Sequence, residues 1–217
     1  MVTNIIMENK KKLKILAASD LHGDSFQVMK LADRAEKENV DLVVLCGDIT
    51  SPLETKNIIK PFKDKGKKVL LVPGNHDGLA LGDFLADLYN VKNLHGKYAK
   101  YYHVGFFGCG GANVGLDALS DEETFEVLKK GFYYVKGSEK RIMVTHVHPE
   151  GTIVDKMFPR WGSKGVRKAI DILKPDLLLC GHVHEAEGVE DLIGNTKVVN
   201  VGRNGKIIEL WFKVTFI

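Results

Sequence analysis

The sequence predicts an α/β protein in which two sheets pack together with helices outside. Two observations predict the class. Short aliphatic runs recur at Leu13–Ala18, Leu42–Cys46, Val69–Val72, Ile142–Val144 and Leu177–Cys180, with the length and composition of buried strands. Segments of helical period separate the first runs, giving a βαβαβα start, and the later chain is strand-rich. A third observation concerns the ends of those runs, each followed at once by carboxylates, imidazoles or an amide.

The elements follow in order. Residues 1–12 read as a polar N-terminal tail, whose Lys10, Lys11, Lys12 and Lys14 suit a solvated start, and 13–217 as one domain. Leu13–Ala18 is the first strand. Phe26–Glu38 is a helix with Val28, Leu31, Ala32 and Ala35 on one face. Leu42–Cys46 is the second strand, Ser51–Lys65 a helix with Ile58, Ile59 and Phe62 inward, and Val69–Val72 the third strand, closed by Pro73 and Gly74. Leu79–Leu88 is a short helix. Tyr98–Gly108 reads as one or two strands and runs into a glycine-rich surface loop, Gly108–Gly115, that lacks the lysine and spacing of a phosphate loop. Ser120 and Glu123 form a capping-box pattern for a helix over Asp121–Lys130. Arg141–Thr145 is a strand and Gly151–Gly162 an irregular loop. Ser163 caps a helix over Lys164–Leu173, which Pro175 ends. Leu177–Cys180, Lys197–Val201 and Ile207–Val214 are the last strands.

Bulk properties exclude several classes. The 217 residues are 44% hydrophobic and 27% charged, with a net charge of +3. That balance is too mild for a tight nucleic-acid binder, and no apolar stretch reaches the ~20 residues of a membrane helix. The start lacks the order of a signal peptide, so a cytoplasmic protein is expected. Cys46, Cys109 and Cys180 are too few and too scattered for a disulfide or zinc framework. Cys46 and Cys180 read as small buried hydrophobes. Phe106, Phe107, Phe132, Tyr133, Tyr134, Trp161 and Trp211 are assigned to the core by default, and the oligomeric state is left open.

The polar motifs carry the chemistry. They are Asp20-Leu21-His22, Gly47-Asp48, Gly74-Asn75-His76-Asp77, Thr145-His146 and Gly181-His182-Val183-His184. Ligands bind beyond the carboxyl ends of strands in such sheets, so seven candidate metal ligands reach one edge: Asp20, His22, Asp48, Asn75, His146, His182 and His184. Asp20 and His22, two apart, can face one ion. Asp48 has two oxygens and can bridge. Mixed oxygen and imidazole ligands suit Mn, Fe, Zn or Ni. Glycine precedes Asp48, Asn75 and His182, where sharp turns or close backbone approach would aim a side chain into a crowded centre.

Through these five motifs the chain resembles the calcineurin-like metallophosphoesterase superfamily, from about Leu13 to Gly202. The resemblance implies a four-layer α/β/β/α sandwich and a centre of two divalent ions. One ion would take Asp20, His22, Asp48 and His184, and the other Asp48, Asn75, His146 and His182. It implies hydrolysis of a phosphodiester or phosphomonoester, a small phosphate ester, by metal-bound hydroxide. His76 would protonate the leaving oxygen or stabilise charge, and Asp77 would orient the His76 ring. Many members carry a further aspartate soon after Gly-Asp. Here the run Gly47-Asp48-Ile49-Thr50-Ser51 has none, and Asp77 is the substitute. His148, Arg160 and Asn113 are candidates for substrate contact, with rim support the other reading of His148 and a solvated arginine the other reading of Arg160. The alternative reading is a metallophosphoesterase fold used as a non-catalytic protein-binding scaffold, which typically loses a ligand or the histidine. A repair-type nuclease would need a further DNA-binding domain.

Overall fold

A computed structural model describes residues 9–51 and 57–214. Sheet A has the order β11-β1-β2-β3-β4, from β1 (Asn9–Ala18), β2 (Leu42–Cys46), β3 (Lys68–Val72), β4 (Lys92–Asn93) and β11 (Lys206–Val214). Sheet B has the order β5-β6-β7-β8-β10-β9, from β5 (Tyr98–Tyr101), β6 (Val104–Cys109), β7 (Lys140–Thr145), β8 (Leu177–Cys180), β9 (Glu190–Ile193) and β10 (Thr196–Asn200). The central strands of both sheets run parallel. β11 and the β5 and β9 edges are antiparallel to their neighbours.

Strand alternation builds the layers. Leu42, Val44 and Cys46 point between the sheets, where they meet Val104, Phe106, Ile142, Val144, Leu177 and Leu179. Val43 and Leu45 point the other way, onto Val28, Leu31, Ala32 and Ala35 of α1 (Ser25–Lys37) and Phe62 of α2 (Lys60–Asp64). Leu85 of α3 (Leu79–Tyr89) joins the same cluster. On sheet B, Phe107, Met143 and Leu178 face Phe125 and Leu128 of α4 (Asp121–Tyr133) and Val166, Ala169 and Ile170 of α6 (Lys164–Leu173). Three apolar layers between four structural layers give the α/β/β/α sandwich.

The capping box at Ser120 and Glu123 and the Ser163 cap form as expected. Several boundaries differ. β1 starts at Asn9, so Asn9–Lys12, placed in the tail, pair with Phe212–Val214 and Trp211. The rest of that tail lies outside the described residues. The Ser51–Lys65 helix reduces to Lys60–Asp64, with 52–56 also outside them. Gly151–Gly162 is not wholly irregular: Thr152 accepts a hydrogen bond from the Asp155 N–H and caps a turn of helix, α5 (Ile153–Met157). Tyr133, Tyr134, Trp161 and Trp211 are exposed rather than core. The three cysteines are buried and free.

Candidate metal centre

The five motifs all sit at the carboxyl ends of β1, β2, β3, β7 and β8. Sheet A supplies Asp20, His22, Asp48, Asn75 and His76, and sheet B supplies His146, His182 and His184. Backbone bonds fix the turns: Asp20 N–H donates to Gly47 O at 3.0 Å, His22 N–H to Asp48 O at 2.9 Å, and Gly181 N–H to His146 O at 2.8 Å. Four of these residues have left-handed backbones, with φ of 58° at Asp20, 45° at His22, 49° at Asp48 and 72° at His182. Such a conformation costs a non-glycine residue roughly 1–3 kcal/mol and persists only where surrounding structure enforces it. Gly47 is itself left-handed, at φ 89°, and a Cβ there would sit 2.5 Å from His146 Nδ1. Gly74 and Gly181 do not need positive φ. They need space, because a Cβ would strike the Asp48 carboxylate at the first and Ser19 at the second.

His146 organises one half of the centre. It is fully buried, and its Nδ1 donates to Cys46 O at 2.9 Å, which turns Nε2 inward. Around Nε2 stand Asn75 Oδ1 at 3.0 Å, His182 Nδ1 at 3.2 Å and Asp48 Oδ2 at 3.3 Å. Four lone-pair atoms converge, and one proton cannot satisfy them. Donors about 2.1 Å from one ion lie about 3.0–3.4 Å apart, which is the spacing seen. The other half is built the same way. His22 Nε2 lies 3.3 Å from His184 Nε2 and 3.8 Å from Asp48 Oδ2, and His184 Nε2 lies 3.4 Å from Asp20 Oδ1. Asp20 Oδ2 accepts from Ser19 Oγ at 2.6 Å and from His182 N–H at 3.1 Å. Its Oδ1 is buried with no hydrogen-bond partner among the described residues. An unpartnered buried carboxylate oxygen grouped with two imidazole nitrogens is a donor set suited to a cation. The donor set therefore fits divalent metal, and Asp48 Oδ2 stands between the two halves.

Electrostatics agree. Burial would push the Asp48 carboxyl up, but the His146 ring and the His76 N–H, 2.9 Å from Asp48 Oδ1, outweigh it and hold the carboxyl well below the usual range. Burial would depress His146; Asp48, Asp20 and the Cys46 carbonyl instead lift it to about 9. A proton on His146 thus occupies the charge a metal would bring. Burial, with His146 adding to it, lowers His182 to about 3, and burial also lowers His22.

The centre opens into a cleft of about 610 Å³ lined by His22, Asp48, Asn75, His76, His182 and His184 on one side. Asn113, Val114, Pro159, Arg160, Trp161 and Glu185 complete it. Arg160 and Asn113, the candidates for substrate contact, are thus part of the cleft lining. His76 is largely exposed there, its Nε2 3.9 Å from Asp48 Oδ2 and its ring 5.3 Å from that of His22.

Two expectations are corrected. Asp77 does not orient His76. Its Oδ1 accepts from the N–H groups of Ile49 at 3.1 Å and Thr50 at 2.9 Å and from Thr50 Oγ1 at 2.8 Å. Its Oδ2 accepts from Gly74 N–H at 2.8 Å and Ile49 N–H at 3.0 Å. The carboxylate is saturated by the turn that carries Asp48, and it ties that turn to the one carrying Asn75. His148 does not line the cleft: it is fully buried, and neither ring nitrogen has a partner among the described residues.

Sequence reasoning missed Ser19 and the role of Trp161. A hydroxyl next to a ligand aspartate at a strand end was the available signal for Ser19. Trp161 gave none, because its neighbour His182 is distant in sequence. Asn200 donates through Nδ2 to Val183 O at 3.1 Å and Gly181 O at 3.3 Å, bracing the turn that carries His182.

Comparison with known proteins agrees with this geometry. The calcineurin-like phosphoesterase family matches residues 13–186. The chain is 24% identical to UPF0046 protein K07C11.7 of Caenorhabditis elegans, over 89% of this chain and 71% of that one. Its fold is similar to that of TT1561 of Thermus thermophilus (TM-score 0.74, 20% identity, 94% of this chain and 99% of that one). It is also similar to an archaeal phosphodiesterase (TM-score 0.52, 18% identity, 92% and 100%) and a dimetal phosphatase from Danio rerio (TM-score 0.63, 10% identity, 88% and 87%).

Proposed function

The chain belongs to the calcineurin-like phosphoesterase family, and from that premise we propose that it hydrolyses a small phosphodiester or phosphomonoester with two divalent ions held as the geometry suggests. Asp20, His22, Asp48 and His184 would hold one ion, and Asp48, Asn75, His146 and His182 the other. When bound, the pair supplies an activated water and polarises the phosphoryl oxygens. The observation that carries the reading is the Asp48 Oδ2 position, 3.3 Å from His146 Nε2 and 3.8 Å from His22 Nε2.

The chain's own residues do the rest. Ser19 Oγ and His182 N–H fix one Asp20 oxygen and leave the other free to ligate. The Cys46 carbonyl sets the His146 tautomer and orientation. His76 is the exposed imidazole beside the centre, placed to give a proton to the leaving oxygen or stabilise negative charge on it. Arg160, whose side chain has no ion pair or hydrogen bond among the described residues, and Asn113 are free to contact the ester's anionic oxygens. No helix among the described residues is long and apolar enough to cross a membrane, and a diffusible substrate fits the open cleft.

The test is hydrolysis of bis-p-nitrophenyl phosphate and p-nitrophenyl phosphate by chelated protein, then with Mn²⁺ restored. Metal-dependent release is expected, and the preferred ester assigns diesterase or monoesterase. Failure to cleave either in metal-loaded protein would favour the scaffold reading.

A further inference from the structure

We propose that Trp161 is a stacking surface for a planar aromatic group on the substrate, so that the site selects nucleoside-type phosphate esters over aliphatic ones. The proposal rests on the phosphoesterase reading and adds its substrate class.

The cleft has two unlike walls. One is the set of imidazoles and carboxylates. The other comes from the Asn113–Val114 loop and the Pro159–Trp161 segment after α5, and it presents valine, proline and indole. The Trp161 ring centroid lies 5.4 Å from that of His182 at 46°, and Phe158 backs it at 6.3 Å. Even so, Trp161 remains 48% exposed. Two other exposed aromatics are covered away from the cleft: Tyr98 stacks on Tyr134 at 4.6 Å, and the Lys12 ammonium lies over Trp211. Trp161 lines the cleft, one ring away from a candidate metal ligand. A group attached to a phosphate held at the metals would meet it directly. An aliphatic group would gain only buried area there, whereas a planar π system also gains offset stacking. Neighbouring Arg160, at φ 75°, brings its unpaired guanidinium to the same rim and suits an anionic ester.

The chain has two tryptophans, so Trp211→Phe leaves Trp161 as the sole indole. In Zn²⁺-loaded Trp211→Phe protein, adenosine 5′-monophosphate should quench indole fluorescence saturably, and glycerol 3-phosphate should not. Equal responses to the two would overturn the proposal. In turnover, Trp161→Ala should raise KM for bis-p-nitrophenyl phosphate roughly tenfold, leave KM for glycerophosphocholine unchanged, and be largely rescued in Trp161→Phe. A matching loss on both esters would assign Trp161 to packing and overturn it. Absence of hydrolysis of every ester by metal-loaded wild type would count against the phosphoesterase reading alone, since the quenching decides stacking without turnover.

Discussion

At the scale of single residues, the centre is defined by which atoms lack protons. His146 is held protonated up to about pH 9 by Asp48 and Asp20 despite its burial, and a metal must displace that proton. Metal affinity should therefore rise with pH towards 9 and level above it, and binding at pH 7 should release a proton, readable as a buffer-dependent heat in calorimetry. With His76 as the proton donor to the leaving oxygen and not a metal ligand, His76→Ala should lower turnover by roughly 10²–10⁴-fold with metal content unchanged. Metal loss in that variant would reassign it. His148 offers a stability test. Its burial lowers it from 6.5 to about 4, with Asp155 opposing weakly. A depressed histidine binds fewer protons folded than unfolded between those values. Stability is therefore complete above about pH 6.5 and is lost as pH falls towards 4, by about 3 kcal/mol in all. Denaturant unfolding of metal-free protein at pH 7 and pH 4.5 should show a larger loss in wild type than in His148→Asn.

At the scale of elements, three turns carry the candidate sheet A ligands, and Asp77 joins two of them, those after β2 and β3. Asp77→Ala would leave the N–H groups of Ile49, Thr50 and Gly74 unpaired in a buried place. That should cost at least about 3 kcal/mol in urea unfolding, against about 1 kcal/mol for Thr50→Val. If Asp77→Ala instead lowered only turnover, with stability intact, the orienting role would be restored. This pair shows where the sequence was legible and where it was not. Strand-ending motifs announced all seven candidate ligands, because an aliphatic run fixes where a buried strand stops. The partner of Asp77 was not legible, since a carboxylate beside a histidine offers no local sign that backbone 27 residues away will claim it. Likewise Asn9–Lys12 looked like solvated tail, and only the antiparallel partner β11 makes it strand. The α5 turn hid in a loop-like composition because five residues carry too little period to register.

At the scale of the whole molecule, the centre is a seam. Sheet A and sheet B each contribute candidate ligands, and these side chains meet at the strands' carboxyl edge. The apolar layer between the sheets, including Phe106, Val144 and Leu179 against Ala17, Val44 and Val72, sets the distance at which those ligands meet. Bound metal should therefore clamp the two sheets and stabilise the fold. At a free metal concentration 100 times the dissociation constant, the gain is about 2.7 kcal/mol per ion. A chelator should lower the melting temperature accordingly, and the shift should vanish in Asp48→Asn. An unchanged melting temperature would mean that the ligands do not span the seam.

The central claim is that two cations sit where the acceptors converge, with Asp48 shared between them. Its most direct measurement is the metal stoichiometry of chelated, reloaded protein by calorimetric titration with Mn²⁺, wild type beside Asp48→Asn. Two ions per chain are expected in wild type and at most one, weakly held, in the variant. No binding in wild type, or two ions bound equally well without the Asp48 carboxylate, would contradict it.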